Sequence, residues 1–494
     1  MRVEAQVETI VNTEPATGEP QPPLTVDSPE AVGAAVAAAR RAQPAWAALS
    51  FKRRRDVLLR FKDELLRSVD EVSDVLVREV GKPRFEAFTT EILTVADLTR
   101  FYAQRARKLL ADERLPLHLF PHKKSWLRWS PRGVVGVISP WNFPFSIPVG
   151  DVVMSLAAGN AVVLKPSELT PRVALKAREL FTRAGLPEDL FRVVVGKGPT
   201  GAALIDAGVD QVVFTGSVAT GRKIAEACGR RLIPCILELG GKDPAIVLDD
   251  ADLERAARQV VWGAFANSGQ VCASVERVYV ERSVADRFTE RVVELTRSLK
   301  QGDPSKESVD VGAMVSPVQL DLVKRHVDEA VAQGARALTG GSPAPGPGRF
   351  FPPTVLVEVT QRMTVMREET FGPVLPILAV ADTEEAVRLA NDSAYGLTAY
   401  VFGSRRRAEA VADRLVAGSV IVNDVLFHHG LPESPWGGVK DSGLGRVHGL
   451  HGLKDLSMMR HFNTERVALP KPWQYPYGDV WLKRLRRAFA FLLR

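Results

Sequence analysis

Between Gly133 and about Gly229, short β-branched runs take turns with amphipathic stretches: GVVGVI, a helix ending near Gly159, AVVLK, a helix over 173–184, FRVVV and DQVVF. Strands separated by helix-length segments read as βαβ units on a parallel sheet. A second alternation follows, with PAIVL, a helical run over 252–266, RVYVE and a helix over 284–299. The pattern predicts an α/β chain with two parallel-sheet domains.

The 494 residues leave room for roughly three domains at about 150 residues each. A net charge of +7 and a pI near 9.3 raise the question of nucleic acid. The basic residues, however, are spread over helical faces. Only Arg53–Arg55 and 483–487 are compact clusters, so no specific nucleic-acid binding is expected. Three cysteines, Cys228, Cys235 and Cys272, make no disulfide framework and fit a reducing, cytoplasmic setting. The first residues carry glutamates and no apolar run, so neither a leader nor a transit peptide is expected, and no stretch reaches the ~20 apolar residues of a membrane span. GGSPAPGPG (340–348) is a surface loop.

The candidate chemistry centres on Cys272, which closes NSGQVC, and on Glu238, which lies earlier in LELGGKDP. A thiolate adds readily to a carbonyl, and a separate carboxylate can serve as a base, so the pair suggests covalent catalysis followed by hydrolysis. Alone, Cys272 would read as a small buried hydrophobe, Asn142 as a turn residue before Pro144, and Glu238 as a carboxylate held in a glycine-rich turn. Their company changes that. SPWNFP (139–144), KPSE (165–168), FTGS (214–217), EETFGP (368–373) and PWGGVKDSGLGR (435–446) occur in this order. Together they resemble the aldehyde dehydrogenase superfamily, from about residue 12 to about residue 462.

The resemblance implies a fold and a set of roles. The expected layout is a cofactor domain from 1–118 and 138–237, a catalytic domain over 238–428, and an oligomerisation element from 119–137 and 429–494. By resemblance Cys272 attacks an aldehyde, and the oxyanion of the thiohemiacetal is held by the Asn142 side chain and the Cys272 backbone N–H. Glu238 activates the water that hydrolyses the thioester. Relatives that pass the acyl group to coenzyme A or phosphate tend to lack such a glutamate, so release of a free acid is expected. The chain has no GxGxxG fingerprint, and the expected cofactor contacts are dispersed. Gly216 and Ser217, at a strand end and helix start, suit a pyrophosphate. Lys165 and Glu168 are expected on the adenosine ribose, and Ile138, Ser139, Pro140 and Trp141 along the cleft. Glu369 is expected on the nicotinamide ribose and Phe371 beside the nicotinamide. Glu168 favours NAD over NADP, although some relatives with this glutamate accept both. No metal is expected: His428, His429, His448 and His451 lack a supporting cysteine or carboxylate set.

Two features depart from the pattern or extend it. Many tetrameric members carry a second glutamate after SGxGR, where it relays protons, and here that position is Val447. RVHG is closer to the branch acting on fatty and aromatic aldehydes, so a homodimer or a homotetramer is expected. Beyond residue 462 an amphipathic basic helix places Trp481, Leu485, Ala488, Phe489 and Leu492 on one stripe. That stripe packs on a partner subunit or over the substrate funnel, or else makes peripheral membrane contact in the headgroup layer. Phe143, Ile147 and Trp436 are expected on the funnel wall with no basic residue beside them, which favours apolar aldehydes over semialdehydes. A semialdehyde dehydrogenase is the alternative within the class, and a non-catalytic membrane-associated scaffold the alternative outside it.

Overall fold

A computed structural model of the chain describes residues 8–306, 309–471 and 473–492. Residues 1–7 and 493–494, the outermost parts of the expected cofactor and oligomerisation segments, lie outside that description. The chain divides into two compact units, Met1–Leu110 with Ser130–Met458, and Ala111–Trp129 with Met459–Arg494.

The large unit contains both predicted sheets. In the first, β1 (Val134–Ile138), β2 (Ala161–Lys165), β3 (Phe191–Val193), β4 (Gln211–Thr215) and β5 (Cys235–Glu238) run parallel. They are joined by α1 (Ser146–Ala158), α2 (Pro171–Arg183), α3 (Gly198–Asp206) and α4 (Val218–Arg231). The strand order is β3-β2-β1-β4-β5, so the chain first builds outward from β1 on one side and then returns to build on the other. The reversal leaves a crevice at the carboxyl ends of β1 and β4, the usual ligand position in an open α/β sheet. The strands are nearly continuous apolar runs because helices cover both faces.

The second sheet holds β6 (Pro244–Val247), β7 (Arg277–Glu281), β8 (Thr354–Val357), β9 (Val374–Val380), β10 (Thr398–Phe402) and β11 (Ser419–Val422). They are parallel in the order β8-β9-β7-β6-β10-β11, with a short antiparallel edge at Arg336–Ala337. α5 (Leu253–Phe265) and α6 (Arg282–Ser298) pack on one face, where Phe265, Phe288, Tyr400 and Phe402 fill the core.

The small expected element has different limits in the structure. β1 lies inside the six-stranded sheet, paired with β2 and β4, although the expected layout groups residues 134–137 with the oligomerisation segment. Residues 429–458 also belong to the large unit: β12 (Gly443–Leu444) pairs antiparallel with β5, placing Gly443 opposite Glu238. Backbone pairing that sequence pattern does not reveal is the physical reason for both shifts. The remaining small unit holds most of a three-stranded sheet of Glu113–Leu115, Lys123–Pro131 and Ser457–Glu465, with Trp126 stacked on Phe462 at 5.4 Å. Its last element, the helix Asp479–Leu492, buries none of its side chains, and no helix among the described residues is long and apolar enough to cross a membrane.

Candidate active site

Cys272 follows a distorted turn. Asn267, Ser268 and Gly269 take successive φ values of 51°, 56° and 70°. Two of the three are not glycine, and such strain persists only where the surroundings over-determine it. Here they do. The Asn267 N–H donates to both Glu86 carboxylate oxygens at 3.1 and 3.0 Å, and Asn267 Nδ2 donates to the carbonyls of Asn142 and Gln270 at 3.0 and 3.1 Å. Gln270 Nε2 returns a bond to the Asn267 carbonyl, while its Oε1 accepts from the Val315 N–H. A Cβ on Gly269 would lie 2.2 Å from the Gly372 carbonyl oxygen, so only glycine fits that step.

Asn142 sits in the proline-bounded loop between β1 and α1, 2% exposed. Its Nδ2 donates to the Gln270 carbonyl at 3.0 Å, which leaves one amide hydrogen free and holds the side chain against the turn that presents Cys272. Its own carbonyl accepts from Lys82 Nζ at 2.9 Å. Lys82 is buried and paired with Glu91 at 2.7 Å, and the other Glu91 oxygen accepts the N–H groups of Phe145 and Ser146. The ion pair is thus satisfied on both sides, as a buried pair must be to persist. Sequence reasoning missed Lys82, Glu91 and the role of Asn267 and Gln270 in this network. Only the last two lie inside a recognised motif, NSGQVC.

Glu238 ends β5, 3% exposed, and neither of its carboxylate oxygens has a hydrogen-bond partner. The Trp436 indole lies beside it without completing a bond of good geometry. Burial, and then the neighbouring Asp151 carboxylate, push Glu238 well above the usual carboxylate range. The Cys272 thiol is likewise raised, first by burial and then by the Asp243, Glu369 and Glu238 carboxylates. An orphaned buried carboxylate next to a thiol is costly unless it serves a purpose, and such groups cluster at functional sites. The double glycine after Glu238 permits the close approach: a Cβ on Gly241 would stand 2.5 Å from the Cys272 carbonyl oxygen.

Two larger cavities meet at Cys272. The first, about 290 Å³, is lined by Pro140, Trp141, Asn142, Gly216, Ser217 and Phe371, among others. Trp141 and Phe371 meet edge to face at 5.2 Å. Glu369 also borders it, accepting the Gly241 N–H at 3.0 Å, and burial raises its carboxyl to about 8. Behind Phe371, Glu276 accepts the N–H groups of Thr370 and Phe371 at 2.9 and 2.8 Å and pairs with buried Lys242. This support for the EETFGP loop was also not foreseen. Gln319, another unforeseen neighbour, donates to the Thr370 and Phe371 carbonyls.

A dinucleotide fits the residues present. The crevice of the first sheet opens here, Ser217 caps the N-terminus of α4 by accepting the Thr220 N–H, and the buried Ser139 hydroxyl has no partner. Ile138 and Lys165 end β1 and β2 and both approach Gly201 of α3. Lys165 Nζ lies 3.4 Å from a Glu168 oxygen, and burial lowers its pKa. Ile138, Ser139, Lys165 and Glu168 are not among the residues lining the 290 Å³ cavity. Among the described residues no cluster of histidine, cysteine and carboxylate groups could hold a metal ion.

The second cavity, about 420 Å³, reaches Cys272 from the other side. Phe143, Ile147, Trp262, Val271, Phe427 and Leu431 supply its apolar wall. Its acidic lining groups are Asp97 and Glu86, the latter raised to about 7 by burial, with no lysine or arginine.

A thiol and an orphaned carboxylate between a dinucleotide crevice and an apolar funnel are matched by the kinship of the chain. The sequence model described as "Aldehyde dehydrogenase family" matches residues 2–462. A "Putative succinate-semialdehyde dehydrogenase [NADP(+)]" of Mycolicibacterium smegmatis is 42% identical over 472 residues, covering 95% of this chain and 91% of that one. A "4,4'-diapolycopene aldehyde oxidase" of Methylomonas sp is 42% identical over 489 residues, covering 98% and 91%. Among solved structures, an NAD-dependent aldehyde dehydrogenase from Sinorhizobium meliloti superimposes with a TM-score of 0.90 at 37% identity, covering 94% of this chain and 93% of that one. The NAD+ complex of a Bacillus cereus aldehyde dehydrogenase gives 0.89 at 33%, covering 93% of each. With its fold, its site and nearly its whole length in agreement, the chain belongs to the aldehyde dehydrogenase family.

Proposed function

We propose that the protein oxidises an apolar aliphatic or aromatic aldehyde to the free carboxylic acid with NAD, and accepts NADP less readily. The observation that carries this reading is the placement of Cys272 at the junction of the two cavities, within the same small space as the unpaired Glu238 carboxylate. The Cys272 sulfur adds to the aldehyde carbon, and the oxygen that becomes negative is held by Asn142 Nδ2 and the Cys272 N–H. One such donor contributes about 3–4 kcal/mol to transition-state stabilisation. A bound dinucleotide supplies the acceptor for the hydride leaving that carbon. Gly216, Ser217 and the α4 N-terminus would hold its pyrophosphate, Lys165 and Glu168 its adenosine ribose, Glu369 its nicotinamide ribose and Phe371 its nicotinamide, while Ile138, Ser139, Pro140 and Trp141 would line its path. Glu238 then takes a proton from the water that cleaves the thioester.

In this reading the first sheet, with residues 1–118 and 138–237, serves the cofactor, and 238–428 the substrate chemistry. The small unit joins copies of the chain into a homo-oligomer, with the exposed stripe of the tail helix packed on a partner. Names of relatives favour a second reading, a succinate-semialdehyde dehydrogenase. The funnel argues against it, because a carboxylated aldehyde would meet the Asp97 carboxylate and no lysine or arginine there.

The test is formation of reduced nicotinamide by the purified protein from hexanal, a long-chain aldehyde, benzaldehyde and succinic semialdehyde, with NAD and NADP in parallel. The reading expects the apolar aldehydes to give the higher kcat/KM with NAD. A preference for succinic semialdehyde would establish the second reading, and silence with all four aldehydes would overturn both. In Glu238→Gln a single burst of reduced nicotinamide should precede a stall at the thioester.

A further inference from the structure

The three cysteines of the chain do not lie together. Cys272 borders both large cavities, whereas neither Cys228 nor Cys235 lines either of them. These two meet each other instead. Cys228 stands in the last turn of α4 and is 1% exposed, and Cys235 opens β5, half-buried. Their thiols are within hydrogen-bonding reach of one another, and both are free.

The local backbone explains the meeting. α4 ends in a left-handed step at Leu232, φ 55°, where the N–H groups of Leu232 and Ile233 turn back onto the Gly229 and Cys228 carbonyls at 3.2 and 3.0 Å. Such a wrap satisfies the last carbonyls of a helix and reverses the chain within a few residues. The Pro234 carbonyl then accepts the Val212 N–H at 3.0 Å, and Cys235 enters the sheet opposite Val212. Because α4 packs along β5, the reversal brings the Cys228 side chain to the first residue of the strand. Residues 229–232 and Pro234 in the connecting turn are exposed, so a small solute reaches Cys235 past them.

We propose that Cys228 and Cys235 are a redox pair, which a peroxide joins into a reversible disulfide without engaging the catalytic thiol. The Cys235 sulfur, as thiolate, attacks one oxygen of hydrogen peroxide. The O–O bond breaks, the departing hydroxide is protonated to water, and Cys235 carries a sulfenic acid. The Cys228 sulfur then attacks the Cys235 sulfur: an S–S bond forms, the S–O bond breaks, and hydroxide leaves with the Cys228 proton as a second water. The two sulfurs together give up two electrons, and the peroxide takes them. A dithiol such as dithiothreitol reverses the bond by exchange.

The roles within the pair follow from position. Cys228, donating its S–H, favours the thiolate on the more exposed Cys235, while that same bond and then burial keep Cys228 protonated. The Cys272 thiol is held protonated by burial and then by three carboxylates, which leaves Cys235 the first to react. Cys235 opens β5 and Glu238 closes it, just as Cys228 lies at the end of α4 opposite Ser217. The bond therefore ties the far ends of both elements and leaves in place the ends that carry Ser217 and Glu238.

The test is brief exposure of the full-length protein, free of dinucleotide, to a slight excess of hydrogen peroxide, followed by thiol titration after denaturation, intact mass and peptide mapping. The expected result is a fall from three titratable thiols to one, a mass lower by two hydrogens, and a single bridged peptide pair holding Cys228 and Cys235. Dithiothreitol should reverse all three changes, and turnover should be retained throughout. Cys228→Ser should stop at the sulfenic acid, trapped on Cys235 by dimedone, whereas Cys235→Ser should leave Cys228 unreacted. The bridge should still form in Cys272→Ala, because two thiols suffice. Three intact thiols after the exposure, oxidation of Cys272 ahead of the pair, a bridge between two copies of the chain, or turnover lost in step with bridging overturns the proposal. Thiol count and mass do not depend on which aldehyde the enzyme takes, so failure of the substrate reading leaves this one standing.

Discussion

The two large cavities that meet at Cys272 are built in opposite ways. The 290 Å³ crevice is made of strand ends, a helix N-terminus and a loop braced by the buried Lys242–Glu276 pair. The 420 Å³ funnel is made of apolar side chains from helices and from loops near Phe427, with two acids and no cation. Backbone geometry constrains the first and side-chain choice the second. The comparison implies that cofactor handling should be resistant to change on the crevice side, whereas substrate preference should yield to single substitutions in the funnel.

The most severe way to test that division is at the junction itself. Cys272→Ala should reduce turnover to background while the dinucleotide still binds, as measured by fluorescence titration; loss of both together would mean the thiol is part of the crevice rather than the shared reaction point. Next in size, Asn142→Ala should lower kcat by about 10²–10³ with little change in dinucleotide affinity. A smaller drop would assign the oxyanion to other donors. pH comes third. Glu238 and Cys272 are both raised, so their working, deprotonated forms are scarce at low pH and become populated as pH rises. The rate should therefore climb by about tenfold per unit on the acid side before it levels, and a profile flat from mildly acidic pH upward would contradict the burial that raises them.

The smaller effects separate the two cavities. Glu168→Ala removes a carboxylate expected to repel a 2′-phosphate, so the ratio of kcat/KM for NADP over NAD should rise by about tenfold, with aldehyde preference unchanged. Asp97→Lys does the reverse, raising kcat/KM for succinic semialdehyde over hexanal by a few-fold, about what one exposed charge contributes, while leaving the cofactor ratio alone. If either substitution moves the other property, the cavities are not independent.

What the sequence made legible follows the same line. The first parallel sheet, the first two strands of the second, the helix ends at Gly159 and near Ala184, and the tail helix came from periodicity and punctuation, because these elements depend on local pattern. Cys272, Glu238 and Asn142 were singled out through motifs, and all three line the 290 Å³ cavity. Lys82, Glu91, Glu276 and Asp151 were not found. Each is a charged residue indistinguishable in sequence from a solvated one, and becomes notable only when the fold encloses it. The boundary near residue 429 was missed for a related reason: the two residues of β12 carry no strand signal of their own and pair only because β5 presents an open edge.

That pairing also bears on the order in which the protein comes into being. Gly443 lies opposite Glu238, the Leu239 N–H donates to the Ser442 carbonyl, and the Ser442 hydroxyl donates to the Gly240 carbonyl at 2.7 Å. The base and the glycines after it are therefore clamped by a segment about two hundred residues downstream, so β5 keeps a bare edge while the chain is still on the ribosome. A nascent chain that has delivered both sheets has yet to close its catalytic centre, and the thiol and carboxylate meet in a protected setting only once Ser442 and Gly443 have been made.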